Sequence, residues 1–297
     1  MSSNNNTLSA AAALIQQGRS TRSTSRWKIL MRYPLMLIGF TLFLTLILIV
    51  IAGPYFVPND PLLIQMSERL RPASWDYPLG TDHLGRCIFS RLAAGAQMTL
   101  SLAGIVITAT VLIGVPIGLL SGYVGGRLDS FIMRIVDGIG ALPEIIVAIA
   151  VSGFLGPSIT NLLIAIIAVK WVEYVRLVRS IVLLEREKEY MEAARAAGFG
   201  TWHMIRRQLL PHIVSPVIVL ASLDIGKIIL IVSSLSYLGL GAQPPTPEWG
   251  AMLNDGRPYF QTIPELMIYP GLCIMLVVML CNLIGDGLRQ LLDVRNK

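Results

Sequence analysis

The sequence predicts an all-α membrane protein with six transmembrane helices and both termini in the cytoplasm. Of its 297 residues, 54% are hydrophobic and only 14% are charged, with a mean hydropathy of +0.65. A soluble domain carries about 25% charged residues. The apolar excess arrives in long blocks, and a bilayer-spanning helix needs about 20 mostly apolar residues. Lys and Arg gather in alternate connections, as the positive-inside rule asks of cytoplasmic pieces.

Residues 1–33 read as a cytoplasmic tail, Ser/Asn/Ala-rich at its start, with Arg19, Arg22, Arg26, Lys28 and Arg32 and no acid. The first span occupies 34–56. Its flank lacks a small-residue cleavage site, which reads as an uncleaved span rather than a signal peptide. An external loop, 57–97, follows and holds only Arg69, Arg71, Arg86 and Arg91. Residues 98–297 hold five further spans: Met98–Leu120, Phe131–Phe154, Ile159–Leu177, Ile213–Leu240 and Leu266–Ile284. Between the fourth and fifth lie Arg176, Arg179, Arg186, Lys188, Arg195, Arg206 and Arg207, so that connection is cytoplasmic. Arg289, Arg295 and Lys297 put the C-terminus on the same side, while the loop around QPPTPEWGAMLNDGRPYF carries only Arg257. Trp75, Tyr77, Trp249, Tyr259 and Phe260 in the external loops suit the headgroup level.

The cytoplasmic stretch EKEYMEAARAAGFGTWHMIRRQLLPH, Glu187 to His212, reads as a short helix of strong helix formers ending near Ala197. Gly198 and Gly200 cap and turn it, a second helix restarts near Thr201, and Pro211 marks the junction with the fifth span. The small side chains of Ala193, Ala194, Ala196 and Ala197 permit close approach by another protein; an ordinary connector is the alternative.

Arg134, Asp137, Glu144, Lys170, Asp224 and Lys227 lie within or beside spans. Ionisable groups at membrane depth are costly and face a cavity or a partner. Asp224 and Lys227 are three apart and can pair along one helix. That leaves a structural pair or a pathway-lining role open for them. Glu144 follows Pro143, which is expected to kink the third span, and is a candidate pathway residue. His83 and Cys87, four apart, would share a helix face, either as two metal donors or as part of a packed loop helix; two ligands make no site. Cys87, Cys273 and Cys281 form no CxxC pattern or disulfide framework.

Enzymatic classes find little support. The only Gly-Lys, Gly226–Lys227, lacks the rest of a phosphate-binding loop, and His83, His203 and His212 sit in no HExxH pattern. The intramembrane charges also fit an ion-gradient-driven secondary transporter, which would leave the charged cytoplasmic stretch unexplained.

That stretch, in EAARAAGFGTWHMIRRQLLP, resembles the EAA loop of permease subunits in bacterial ABC importers, EAA-x3-G-x9-I-x-LP. Glu192, Ala193, Ala194, Gly198, Leu210 and Pro211 fall on the pattern, and Gln208 stands in the isoleucine place. YPLGTDHLGRCIFSRLAAGAQMTL resembles the GTDxLGRDxFSR segment of the dipeptide, oligopeptide and nickel permeases, with Cys87 where aspartate is usual. LGLGAQPPTPEWGAMLNDGR and NLIGDGLRQLLD are similar to the same subfamily. The resemblance implies a type I ABC importer permease fold. It implies a multi-pass protein of the bacterial inner membrane, non-enzymatic and without a cofactor of its own. ATP would be bound by two cytoplasmic ATPase subunits, and the other partners would be a paralogous permease and an extracytoplasmic solute-binding protein. The EAA loop, about 185–211, would be the coupling helix that docks on the ATPase. Glu248 and Asp255 would meet the binding protein. ASLDIGKIILIVSSLSYLGLG, KWVEYVRLVRS and GTDHLGRCIFSR look closer to the nickel or metal-chelate branch. Di-/oligopeptide or glutathione import is the alternative.

Overall fold

The computed structural model describes residues 59–294, with side chains as far as Gln290, together with Thr41, Leu44, Thr45, Leu48, Ala52, Gly53 and Val57. The tail 1–33, most of the first span, Arg295 and Lys297 lie outside the described residues. Among the described residues the regular structure is helical, apart from one isolated bridge between Thr81 and Cys87.

Eight principal helices follow in order: α1 Ile88–Val124, α2 Gly126–Gly140, α3 Glu144–Leu155, α4 Ile159–Glu185, α5 Glu189–Ala196, α6 Leu210–Tyr237, α7 Trp249–Gly256 and α8 Glu265–Val294. A helical turn at Thr201–His203 and a π-helical stretch at Met204–Leu209 lead into α6, so that Thr201–Tyr237 is one continuous 37-residue rod. That rod, α1 and α8 are long and apolar enough to cross a membrane. α4 has 27 residues, about 40 Å of helix, but carries several charges.

The third expected span is corrected. Phe131–Phe154 does not run through as one kinked helix; α2 and α3 meet at 84°, and together they form a broken span or a re-entrant loop. Proline disfavours helical backbone in the residue before it, and Pro143 here is the residue from which α3 starts.

α1 and α4 pack along a stripe of glycines spaced four apart. A Cβ on Gly118 would fall 2.8 Å from the Val178 Cβ, and one on Gly122 2.8 Å from the Val182 Cβ. Such small-residue spacing lets two membrane helices approach backbone to backbone. The main core joins Leu102 and Val106 of α1, Leu162 and Ile166 of α4, Ile229 and Val232 of α6, Trp249 of α7 and Val277 of α8. A second core joins Val178 and Val182 of α4 to Met191 and Ala194 of α5 and to Met204, Leu209 and Ile213 of the rod.

A buried ion network braces the segment before α1. Arg86 reaches Asp82 at 2.7 Å and Asp255 at 3.3 Å, and Arg91 reaches the same two at 3.4 Å each. These contacts pin the loop before α1 to α7. His83 lies in a turn and Cys87 is the residue from which α1 starts, so the expected shared helix face does not form. The Thr81–Cys87 bridge folds this short segment back on itself instead. His83 stacks on Tyr259 with centroids 5.9 Å apart. Burial holds its imidazole below its usual pKa against the opposing pull of Asp82 and Asp255.

Candidate functional site

Two regions carry chemistry that packing alone does not require. The first is the stretch Glu187–His212. α5 ends in a Schellman turn: the Phe199 N–H donates to the Ala194 carbonyl and the Gly198 N–H to that of Arg195. Gly198 sits at φ +79°, a backbone region costly for a residue with a Cβ. Met191 and Ala194 turn inward onto the second core, while Glu192, Ala193, Ala196 and Ala197 face outward. Phe199 and Trp202 beside them are exposed as well, and Phe199 stacks on His203 at 4.4 Å. Leu210 is half-buried and Pro211 exposed, more than two turns into the rod. Pro211 has no N–H for an i→i−4 bond, and the π-helical turns before it absorb that irregularity.

Glu185, at the end of α4, clamps this stretch. It accepts hydrogen bonds from Lys188 Nζ and from the Tyr190 hydroxyl, both at 2.6 Å, and lies 4.0 Å from His212. Burial pushes its carboxyl upward, yet the two donors outweigh that and leave it below the usual glutamate range. Burial, and then the bond to Glu185, raises the Tyr190 phenol. Arg195 adds a bond of 2.8 Å to the Arg186 carbonyl. α5 is thereby fixed both to α4 and to the start of the rod.

The second region lies inside the bundle. Lys170 is buried on α4, eleven residues in and so about 16 Å along the helix. Its Nζ is 3.0 Å from Glu144, 3.8 Å from Glu173 and 3.9 Å from Asp224. Asp224 is fully buried on α6, accepts from the Tyr174 hydroxyl at 3.1 Å and pairs with Lys227 at 3.2 Å. The expected pair therefore forms, and Glu144, Asp224 and Lys227 come together through Lys170. Glu144 stands in the first turn of α3, where the helix dipole favours an acid, and the broken span delivers it there.

The outer members of this set are not enclosed. The side chains of Glu144, Glu173 and Lys227 are 36%, 43% and 56% exposed. Arg176, one turn beyond Glu173, bonds Asp137 of α2 at 3.0 Å and is exposed too. A polar seam thus crosses α6, α4 and the α2–α3 break. Charged groups open on the face of a membrane-protein helix are not stable against lipid and require water or another polar protein surface. Glu173 and Tyr174 belong to the seam and escaped the sequence reading; the i,i+3 spacing of Lys170 and Glu173 was the available signal.

Glu248 and Asp255 behave differently from expectation. Glu248 is fully buried and caps α7, accepting from the Gly250 and Ala251 N–H groups at 2.9 Å each and from Thr99 at 3.3 Å. Its carboxylate serves the helix start, which leaves nothing for a partner to touch. Burial raises its pKa, and the two backbone donors only partly restore it. Asp255 is engaged by Arg86 and Arg91.

Residues 114–297 match the family described as the binding-protein-dependent transport system inner membrane component. The chain is 41% identical over 271 residues to the dipeptide transport system permease protein of Alkalihalophilus pseudofirmus, covering 91% of this chain and 89% of the relative. It is 39% identical over 270 residues to the nickel transport system permease protein of Escherichia coli, covering 91% and 95%. A solved structure of the MetNI methionine ABC transporter, described as inward-facing, superposes with a TM-score of 0.55 at 20% identity, over 68% of this chain and 95% of the other. That likeness bears on the fold, which is the type I importer permease fold. The chain is a multi-pass membrane protein and belongs to the binding-protein-dependent inner membrane component family, as an ABC importer permease subunit of the dipeptide and nickel branch.

Proposed function

We propose that this chain forms half of a translocation pathway across a bacterial inner membrane, with its polar seam as the lining. A paralogous permease supplies the other half, and residues 34–56 add the first of six spans, with both termini inside. Two ATPase subunits bind the ATP, and an extracytoplasmic solute-binding protein delivers the cargo; the chain itself carries no cofactor. Glu192, Ala193 and Gly198, with Leu210 and Pro211, form the coupling region against an ATPase, and Ala194 seats it on the second core. The observation that carries this reading is the half-exposed set Glu144, Glu173 and Lys227, gathered around buried Lys170 and Asp224 within the helical bundle. The continuous rod from Thr201 to Tyr237 supports the mechanical part, since it carries the coupling region at one end and Asp224 and Lys227 further along.

The cargo we favour is nickel carried as a chelate complex. Lys170 and Lys227 oppose a bare dication, whereas a carboxylate-bearing complex suits a lining of both signs. A dipeptide, the second reading, has the same mixed charge, and a dipeptide permease is among the relatives. Cells lacking the subunit and complemented cells, given labelled nickel with and without a chelator and separately a labelled dipeptide, separate the two. Loss of chelated nickel uptake alone bears out the first reading; loss of dipeptide uptake alone replaces it by the second.

A further inference from the structure

Asp224 has more cationic partners than it needs. Lys170 lies 3.9 Å from it inside the bundle, Lys227 lies 3.2 Å away on the exposed side, and the Tyr174 hydroxyl donates to it at 3.1 Å. Lys170 remains with Asp224 whatever occupies the pathway, because it is enclosed. Lys227 is half in the open, so a second anion can share its ammonium without stranding a buried charge. The seam's two exposed acids, Glu144 and Glu173, already face a buried cation in Lys170. Lys170 Nζ and Asp224 Oδ1 are both buried, and neither finds a hydrogen-bond partner of good geometry in the fold. Their ion pairs are therefore close but not locked, as suits a cluster that rearranges around an added charge.

We propose that Lys227 is a cargo-contacting residue that receives a carboxylate group of the solute within the membrane. The subsite rests on the pathway reading above and goes beyond it by giving this subunit its own part in choosing cargo. Asp224 holds the ammonium in place, and Lys170 stays beside Asp224 while Lys227 turns to the solute. Glu144 and Glu173 take the cationic part of the same solute. The carboxylate belongs either to a peptide C-terminus or to a metal chelator.

The test is uptake into vesicles holding the complete transporter, supplied with saturating binding protein. The probes are alanyl-alanine against its C-terminal amide, and nickel with citrate against nickel with an uncharged chelator. The wild-type complex prefers the carboxylate form in at least one pair. Lys227→Gln lowers that preference about tenfold, the usual weight of a bond to a charged group, while Lys227→Arg keeps it. Lys227→His restores the preference as the pH falls and its ring gains charge, which a merely structural lysine would not do. Collapse in the peptide pair alone assigns the carboxylate to a peptide, and collapse in the nickel pair alone assigns it to a chelate. A preference ratio unchanged by Lys227→Gln, whether or not the absolute rates fall, overturns the inference. So does a Lys227→His ratio that is flat with pH, should the glutamine variant not assemble. A wild-type complex that moves none of the probes overturns the pathway reading and this inference with it.

Discussion

The arginine brace before α1 and the lysine seam across α4 and α6 are built from the same materials in opposite settings. The brace sets Arg86 and Arg91 against Asp82 and Asp255, with both arginine side chains almost wholly enclosed. The seam sets Lys170 and Lys227 against Glu144, Glu173 and Asp224, with three of the five side chains partly open. A buried charge is tolerable only when its partners are complete, and removing one partner is far more damaging than never having had the pair. In the brace each arginine meets both aspartates within an enclosed setting, although Arg86 Nη1 finds no hydrogen-bond partner, and the brace therefore fixes shape. The seam is incomplete within this chain, and its open members lie where lipid cannot serve them. The difference separates a fastening from a working surface.

Substitutions sharpen the contrast. Arg86→Met strips Asp82 and Asp255 of the nearer of their two shared enclosed partners, leaving only the longer contacts of Arg91, and we expect a loss of about 3–5 kcal/mol, read as failed assembly or a large drop in thermal stability in detergent. Lys170→Met should cost less, about 1–3 kcal/mol, because Glu144 and Glu173 can turn to water and Asp224 retains Lys227 and Tyr174. Uptake should nonetheless be lost in assembled Lys170→Met complexes. Equal destabilisation by the two changes would erase the distinction drawn between the clusters. Gly118→Val wedges α1 from α4 and should cost about 1–3 kcal/mol, measured the same way. The smallest effect is expected at Glu185. Its carboxyl is held below its ordinary range, so its stabilisation of α5 is full above that range and fades as the pH falls through the lowered value. Proteolysis of the Glu187–His212 stretch should quicken on acidification, and Glu185→Gln should be more sensitive at neutral pH with a flatter pH profile.

Much of this was legible in the sequence because membrane helices are written in long apolar runs and loop charges. The short helix, Gly198 turn and restart near Thr201 were also readable, since capping chemistry is local. The α2–α3 break was underestimated: a proline signals a bend, but the 84° angle depends on neighbours that no local pattern shows. The glycine stripe Gly114, Gly118, Gly122 was visible as spacing, yet its partner, the Tyr174–Val182 face of α4, is a tertiary fact. Glu248 misled for a different reason. A glutamate in a polar external loop reads as exposed, and only the fold reveals that its carboxylate caps a helix buried against α1. Lys170 was recognisable as a misplaced charge, whereas its role as the hub of three acids needed three helices brought together.

The central claim is that the coupling stretch and the seam move as one body through the rod Thr201–Tyr237. The most direct test is to soften that rod where little packing is lost, by replacing exposed Arg206 and Arg207 with glycine, each at a helix cost of about 1 kcal/mol. ATP hydrolysis and cargo uptake are then measured together in the reconstituted complex. Hydrolysis that persists while uptake per ATP falls about tenfold or more is the predicted result. Uptake per ATP at the wild-type level in the softened rod would contradict it.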